Sequence, residues 1–447
     1  MTSATQHLVS LVEAEDRYDI PYAELLPIQL DAANERLQSR IVDIPLLANR
    51  AERGGVTRIQ QPGDLVTLLF AHTTYKSYSE GWLTEGRWDR MGKWLQTVST
   101  YPVHGVDAGG ALSLEDWLTR LEASNHFVAC SSGTTGRPAL LSSSEEDLAF
   151  TGRTSVASFS WATGIKPEGD RKLFGLGPRT AVARNLRIRQ AMIDAFASRE
   201  EPFPFPGEPI TVSSVMEMIA LRRRIADGTA RPAEIVEFES LSITRQAEMD
   251  AAIGQTVDAL IDSRDLRLLV TGFFGTLYPI AELVREKGFG SKDFDPENAL
   301  LTGGGLKGTV LPPDYREFVL YTFNMRAEHV YQLYSMQELN TPFPMCGAGR
   351  YHVAPWVMVL PLDESGEQLL DASDGEIAAR AAFFDISLDG RWGGVISGDR
   401  ITVDFGACRC GHQGPTIGPE VARYADLPGG DKISCAGTID AYLRGVS

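Results

Sequence analysis

The spacing of apolar positions changes character twice along the chain. Up to about residue 125 they recur at helical intervals, as over 22–40 and 82–97, with aromatic-rich connections between. That periodicity predicts a mostly helical region over 1–125. From His126 onward, short apolar runs end in glycine-rich turns and alternate with helical patterns. The runs are His126-Phe127-Val128-Ala129-Cys130, Arg267-Leu268-Leu269-Val270-Thr271-Gly272 and Ala299-Leu300-Leu301-Thr302-Gly303. Apolar run, glycine turn, helix is the rhythm of a parallel sheet with crossover helices, and it predicts an α/β core over 126–356. Ligands of such sheets sit at the carboxyl ends of the strands, where all three turns fall. After about Val357 the runs become short and alternating, over 376–380, 394–397 and 400–404. They predict a small antiparallel β region over 357–422, with 423–447 left as a short remainder.

Composition narrows the class. The chain has 447 residues, 43% of them hydrophobic, which is ample for a buried core and two or three domains. A formal net charge of -17 argues against nucleic acid or an anionic membrane as the main partner. The first residues carry Glu13, Glu15, Asp16 and Arg17 without the apolar core of a signal peptide. The most apolar stretch, 268–281, is broken by Gly272, Gly275 and Pro279 and is too short to span a bilayer. It reads as a buried strand, a glycine turn and the start of a helix. Five cysteines suit a reducing compartment better than a disulfide scaffold, so a cytoplasmic protein is expected.

The densest candidate chemistry is Ser131-Ser132-Gly133-Thr134-Thr135-Gly136-Arg137-Pro138, directly after an expected strand. Backbone amides beside glycine and hydroxyl donors can surround phosphate oxygens, and Arg137 can add positive charge. It is not a Walker A loop, which needs a lysine before its last hydroxyl residue. Ser144 to Asp147 then has the form of a capping box. A solvated Ser/Thr/Gly turn has the same composition and is the competing reading. The string resembles the signature loop of the adenylate-forming superfamily, which includes acyl-CoA synthetases and amino-acid-activating domains, except that Ala139 stands where a lysine usually follows the proline.

Further motifs follow in the order that the resemblance implies. Gly303-Gly304-Gly305-Leu306-Lys307 matches an adenine-contacting turn, and Tyr334-Ser335-Met336-Gln337-Glu338 matches a Tyr-Gly-x-Thr-Glu motif in part. There the tyrosine stacks near adenine, the threonine position, here Gln337, contacts phosphate, and the glutamate helps hold magnesium. Ser397-Gly398-Asp399 resembles a Thr-Gly-Asp motif whose aspartate accepts the ribose hydroxyls, a task suited to an acceptor-only group. A plain hairpin turn is the alternative for a Gly-Asp pair. Arg423 and Asp426 match the region of the family's hinge. Gly272, Phe273 and Phe274 occupy the place of the acyl pocket and suit an apolar acid, with ordinary core packing as the alternative.

Cys346, His352, Cys408 and Cys410 form a candidate zinc set, three thiolates and one imidazole suiting a closed structural site. Buried cysteines acting as small apolar groups are the alternative. The Cys-x-Cys-Gly string resembles a segment of phenylacetate-CoA ligases, some of which carry structural zinc. The strings Tyr351 to Val357 and Gly429-Gly430-Asp431-Lys432-Ile433-Ser434-Cys435 resemble the neighbouring acyl-protein synthetases.

The resemblance therefore implies the large domain of an adenylate-forming enzyme, a parallel sheet with crossover helices plus an antiparallel β region. It implies ATP and magnesium, an acyl-adenylate formed from a small carboxylic acid, and transfer to a thiol. The acceptor stays open between coenzyme A, an acyl carrier protein and a protein cysteine, with a reductase as a further partner and a homo-oligomer compatible. The stretch 424–447 is too short for the small mobile domain that supplies a lysine in most of the superfamily, so either Lys432 or Lys307 stands in or the half-reaction runs without one, a surface charge being the competing reading of Lys432; Cys435 is a candidate acyl acceptor, with a structural cysteine as the alternative. An aryl- or acyl-CoA ligase and a nucleotide-binding pseudoenzyme subunit are the alternatives.

Overall fold

The chain folds as two units, Met1–Thr154 with Met336–Ser447, and Ser155–Ser335. The computed structural model describes residues 3–100, 105–130, 138–306, 309–372, 375–431 and 433. Of the expected site residues, Ser131, Ser132, Gly133, Thr134, Thr135, Gly136 and Arg137, together with Lys307, Lys432 and Cys435, lie outside the described residues.

The first unit opens with helices, among them Tyr22–Arg40, Pro45–Gly54, Trp88–Val98 and Leu114–Ala123. Their apolar faces bury Trp88, Trp94 and Trp117, and the rings of Trp88 and Trp117 stack at 5.8 Å. The strands β1 (Phe70–Ala71), β2 (Phe127–Cys130) and β3 (Leu140–Ser143) belong to this unit. The run before the serine-rich loop is thus a strand, but not one of the parallel sheet: β2 pairs antiparallel with β3, Cys130 opposite Leu140. A four-residue apolar run carries no mark of its partner's direction, which is why the sequence rhythm misassigned it. After β3, the Ser144 and Asp147 side chains exchange hydrogen bonds with each other's backbone N–H at 3.1 and 3.0 Å. That is the reciprocal cap expected at the start of the helix Glu145–Thr163.

The second unit is a parallel α/β layer. Strands β4 (Lys172–Leu176), β5 (Leu268–Gly272), β6 (Ala299–Gly303) and β7 (Val330–Tyr334) lie side by side in that order. Helices Phe274–Glu286 and Tyr315–Thr322 make the crossovers after β5 and β6. Alternation along β5 shows why the run is continuously apolar. Leu268 and Val270 pack with Leu277, Ile280 and Val284, whereas Leu269 packs with Phe159, Phe196 and Tyr331. Side chains point to opposite faces at period two, so a strand covered on both faces needs apolar residues at every position.

The first unit resumes with β8 (Phe343–Pro344), β9 (Tyr351–His352), β10 (Val357–Leu362), β11 (Ile377–Asp385), β12 (Gly394–Asp404), β13 (Thr416–Ile417) and β14 (Ala422–Arg423). The last five, with β9 and β1, build a largely antiparallel sheet centred on β12. The two short strands expected over 394–397 and 400–404 are one strand, and the Gly398-Asp399 pair lies within it, not at a hairpin turn. Pairing on both edges keeps it extended. β11 covers one edge, while β1, β14 and β13 cover the other in succession, at Val395, Asp399 and Val403. Among the described residues, no helix is long and apolar enough to cross a membrane.

Candidate functional site

Glu338 lies between two rigid supports in the first unit. Arg391, 2% exposed, donates from Nη1 to Ser142 O at 2.7 Å on β3, and from Nη2 to the carbonyls of Gln337 at 3.1 Å and Glu338 at 3.0 Å. On the other side the Asn340 backbone N–H donates to Asp385 Oδ2 at 2.9 Å, and its amide donates to Asp147 Oδ1 at 2.8 Å. Asp147 also accepts the N–H groups of Asp389 at 2.8 Å and Gly390 at 2.7 Å. A buried carboxylate with several donors is a satisfied, rigid node, so the segment 337–340 has little freedom.

The electrostatics mark Glu338 as the unusual group. Burial raises its pKa above the ordinary carboxylate range, and Asp399 raises it further, while Arg391 and Lys76 pull it down. Lys76, at the end of a single helical turn Thr74–Lys76, is buried, a rare placement for an ammonium group without anionic company. Neighbouring Tyr75 is fully enclosed and its phenol is pushed up to about 12, chiefly by burial. Asp399, Lys76 and Arg391 thus all act on the Glu338 carboxyl, one acid opposed by two cations.

Asp399 is fixed within β12. Its N–H donates to Ser397 Oγ at 3.0 Å, and its Cα partner across the strand pair is Arg423. The structure thus brings together Asp399 and Arg423, which the sequence separates by the rest of β12 and by β13. Gln337 contributes to the held segment through its carbonyl, which Arg391 binds.

In the second unit the turns sit at one end of the sheet. Gly303 is opposite Leu333, one residue before Tyr334, so the glycine turn and the tyrosine leave adjacent strands side by side. A Cβ at Gly303 would lie 3.2 Å from Leu333 Cγ and 3.3 Å from its carbonyl oxygen, a crowded fit, and Gly304 has φ +68°, which favours glycine. Gly304, Gly305 and Ser335 are exposed. Gly272 ends β5 opposite Leu176. Phe273 is 48% exposed, whereas Phe274 is buried in the core with its ring edge-on to Tyr315 at 5.1 Å. The two phenylalanines of the expected acyl pocket therefore divide, one available to a ligand and one in the packing.

The Cys/His set converges. The donor atoms of Cys346, His352, Cys408 and Cys410 all lie within 4.8 Å of one another. Cys346 Sγ is 3.8 Å from Cys408 Sγ, and Cys410 Sγ is 3.3 Å from His352 Nε2. Two tight turns aim the thiols. One closes from Gly349 N–H to Cys346 O at 2.9 Å, the other from Gly411 N–H to Cys408 O at 2.9 Å. Burial, with His412 and Arg350 nearby, lowers the His352 pKa to about 4, so the imidazole is neutral and able to ligate. Burial and the crowded sulfurs push the Cys410 thiol up to about 12, as expected of thiols that need a cation to ionise together. The donor set and spacing fit a tetrahedral zinc site.

Sequence reasoning missed Lys76, Arg391, Asn340 and Asp385, and read Asp147 only as part of a helix cap. Arg391 and Lys76 stand directly beside aromatic residues, in Asp389-Gly390-Arg391-Trp392-Gly393-Gly394 and His72-Thr73-Thr74-Tyr75-Lys76. That contrast is the signal that was available, since a buried charge needs a partner.

No protein-family model matches the chain, and no curated protein matches it. Among solved structures it is similar to 2-hydroxyisobutyryl-CoA ligase, determined in an open conformation with 2-HIB-AMP and CoA. The TM-score is 0.57 at 14% identity, over 92% of this chain and 72% of that one. The same ligase in its thioesterification state, again with 2-HIB-AMP and CoA, gives a TM-score of 0.55 at 15% identity, over 92% and 70%. At such identity the likeness is one of fold: the chain has the mixed α/β fold of the adenylate-forming enzymes, with parallel and antiparallel sheets.

Proposed function

We propose that this chain activates a small carboxylic acid with ATP, releasing pyrophosphate, and passes the acyl group from the adenylate to a thiol. The observation that supports it best is the buried Glu338, its backbone held by Arg391 and its carboxyl within electrostatic reach of Asp399 and Lys76, on a chain that has the fold of a ligase solved with an acyl-AMP. In this reading a substrate carboxylate oxygen attacks the α-phosphorus, the bond to the β-phosphate oxygen breaks, and pyrophosphate leaves. A thiolate then attacks the acyl carbon and AMP departs.

Each residue has a role in that reading. Glu338 would hold magnesium, which supplies charge neutralisation along the polyphosphate. Gln337 faces a phosphate oxygen, and the loop from Ser131 to Gly136 with Arg137 surrounds the β- and γ-phosphates. Asp399 accepts the ribose hydroxyls with Arg423 beside it. Tyr334 and the turn Gly303, Gly304, Gly305 contact adenine, and Ser335 follows them. Gly272 and the exposed ring of Phe273 border an apolar acid, while Phe274 supports them from the core. Lys432 is the proposed cation near the α-phosphate. The acceptor thiol is that of coenzyme A, a carrier protein or Cys435, and the thioester conserves the activation energy.

ATP–pyrophosphate exchange over a panel of aliphatic and aromatic acids tests the first half-reaction. Exchange with one acid class supports the reading and names the substrate. Tight ATP binding with no exchange for any acid would replace it with a nucleotide-binding partner subunit. Mass spectrometry of the chain after turnover separates Cys435 acylation from transfer to an added thiol.

We assign Cys346, His352, Cys408 and Cys410 to a structural zinc ion that joins the turn after β8 to the turn before β13. Metal analysis of the purified chain should return one equivalent of zinc, and a Cys408→Ser variant should return far less.

A further inference from the structure

Asp431 lies beyond the last strand, yet its carboxylate is bound by the strand next to the one that carries Asp399. Oδ1 accepts from Arg380 Nη2 at 2.8 Å and from the Ile433 N–H at 3.0 Å. Arg380 is fully buried on β11 and extends the link. Its Nη1 donates to Ser397 O at 3.0 Å, its Nε donates to Glu364 O at 2.9 Å, and its guanidinium lies 4.0 Å from the centre of the Tyr424 ring. Oδ2 of Asp431 sits 3.6 Å from His72 Nε2. Burial, Lys76 and Arg380 hold that imidazole neutral, with its pKa lowered to about 4, so the contact is polar but not ionic. A Cβ placed at Gly398 would meet Asp431 Oδ2 at 3.2 Å and the His72 ring at 3.5 Å.

The stretch Ser397-Gly398-Asp399 is therefore held through three features. Arg380 grips the Ser397 carbonyl, Ser397 Oγ accepts the Asp399 N–H, and the side chains of Asp431 and His72 border the space that a Cβ at Gly398 would take. The segment at Asp431 is anchored in turn, since Ile433 reaches Gly366, where a Cβ would come within 3.1 Å of Ile433 Cδ1. An arginine that binds a backbone carbonyl and a carboxylate at once transmits position from one to the other, because its planar fork fixes both directions.

We propose that Asp431 is a positioning residue for nucleotide recognition: through Arg380 and Gly398 it sets the orientation of the Asp399 carboxylate. This rests on the ribose role proposed for Asp399. It gives Asp431 a part in nucleotide recognition without any contact of its own to the nucleotide.

The test compares ATP with 2′,3′-dideoxy-ATP, which lacks both hydroxyls, by calorimetric titration of the full chain. The unaltered protein should prefer ATP by roughly tenfold to a hundredfold, the worth of one or two charge-assisted hydrogen bonds. Asp431→Ala should lose most of that preference by weakening ATP alone, leaving dideoxy-ATP affinity unchanged. A merely structural role would weaken both nucleotides together, and that outcome overturns the proposal, as does an Asp431→Ala variant with full preference for ATP. If the unaltered protein shows no preference while binding ATP, the ribose role of Asp399 is wrong and the inference falls with it. Gly398→Ala supplies an independent check. It should reproduce the selective loss on its own, and it should cost less in the Asp431→Ala background, because the added methyl then meets one neighbour instead of two. Equal cost in both backgrounds contradicts the linkage.

Discussion

Arg391→Met separates the support of Glu338 from its chemistry. The side chain is 2% exposed and donates to the carbonyls of Ser142 at 2.7 Å, Gln337 at 3.1 Å and Glu338 at 3.0 Å. Methionine fills most of the volume but leaves those acceptors without their donor. At about 1–2 kcal/mol for each stranded acceptor after relaxation, the loss is about 3–6 kcal/mol. The Glu338 and Gln337 bonds are only partly buried and belong at the low end. Such a loss is a large share of the stability of an ordinary domain, so it should be plain in urea denaturation at constant m-value. The same change removes a positive charge that lowers the Glu338 pKa. If Glu338 must be ionised to hold magnesium, exchange activity rises as pH climbs through its raised pKa. Without Arg391 that limb should move to still higher pH. Denaturation midpoints and the pH profile of pyrophosphate exchange are therefore read on one variant. A stability loss below about 1 kcal/mol, or a limb that stays in place, refutes the reasoning.

Lys76→Met should also move the acid limb upward, because it too removes a positive charge that lowers the Glu338 pKa. The pH profile of exchange decides it. Glu338→Gln should preserve folding and abolish magnesium-dependent exchange by about a hundredfold or more, since one carboxylate ligand is lost. Retained exchange would reassign the metal role. Chelation of zinc should lower Tm by several degrees and expose the thiols of Cys346, Cys408 and Cys410 to titration, with Tm restored on adding zinc back. Asp147→Ala should destabilise the chain by about 3–5 kcal/mol, because four donors to its carboxylate lose their acceptor. Denaturation midpoints measure it.

Much of the fold was legible because it rests on local pattern. Period-two burial demands unbroken apolar runs in a two-sided parallel sheet, and β5, β6 and their glycine turns stand out for that reason. The glycine at the end of β6 was legible too, because a Cβ at Gly303 would crowd Leu333 on the adjacent strand. The direction of β2 and the unity of β12 were not legible. Both depend on which strands arrive from elsewhere in the chain, and a short run carries no record of its partners.

By itself, then, the sequence determined the element types, the order of the motifs and the donor types of the Cys/His set. Only the tertiary structure decided which polar residues hold the site. Arg391 bridging β3 to the Glu338 segment, and Asp431 linked through Arg380 to the Ser397 carbonyl, join residues distant along the chain. Their physical basis is burial. A charge removed from water must find partners wherever the fold brings them, and no local pattern encodes that place.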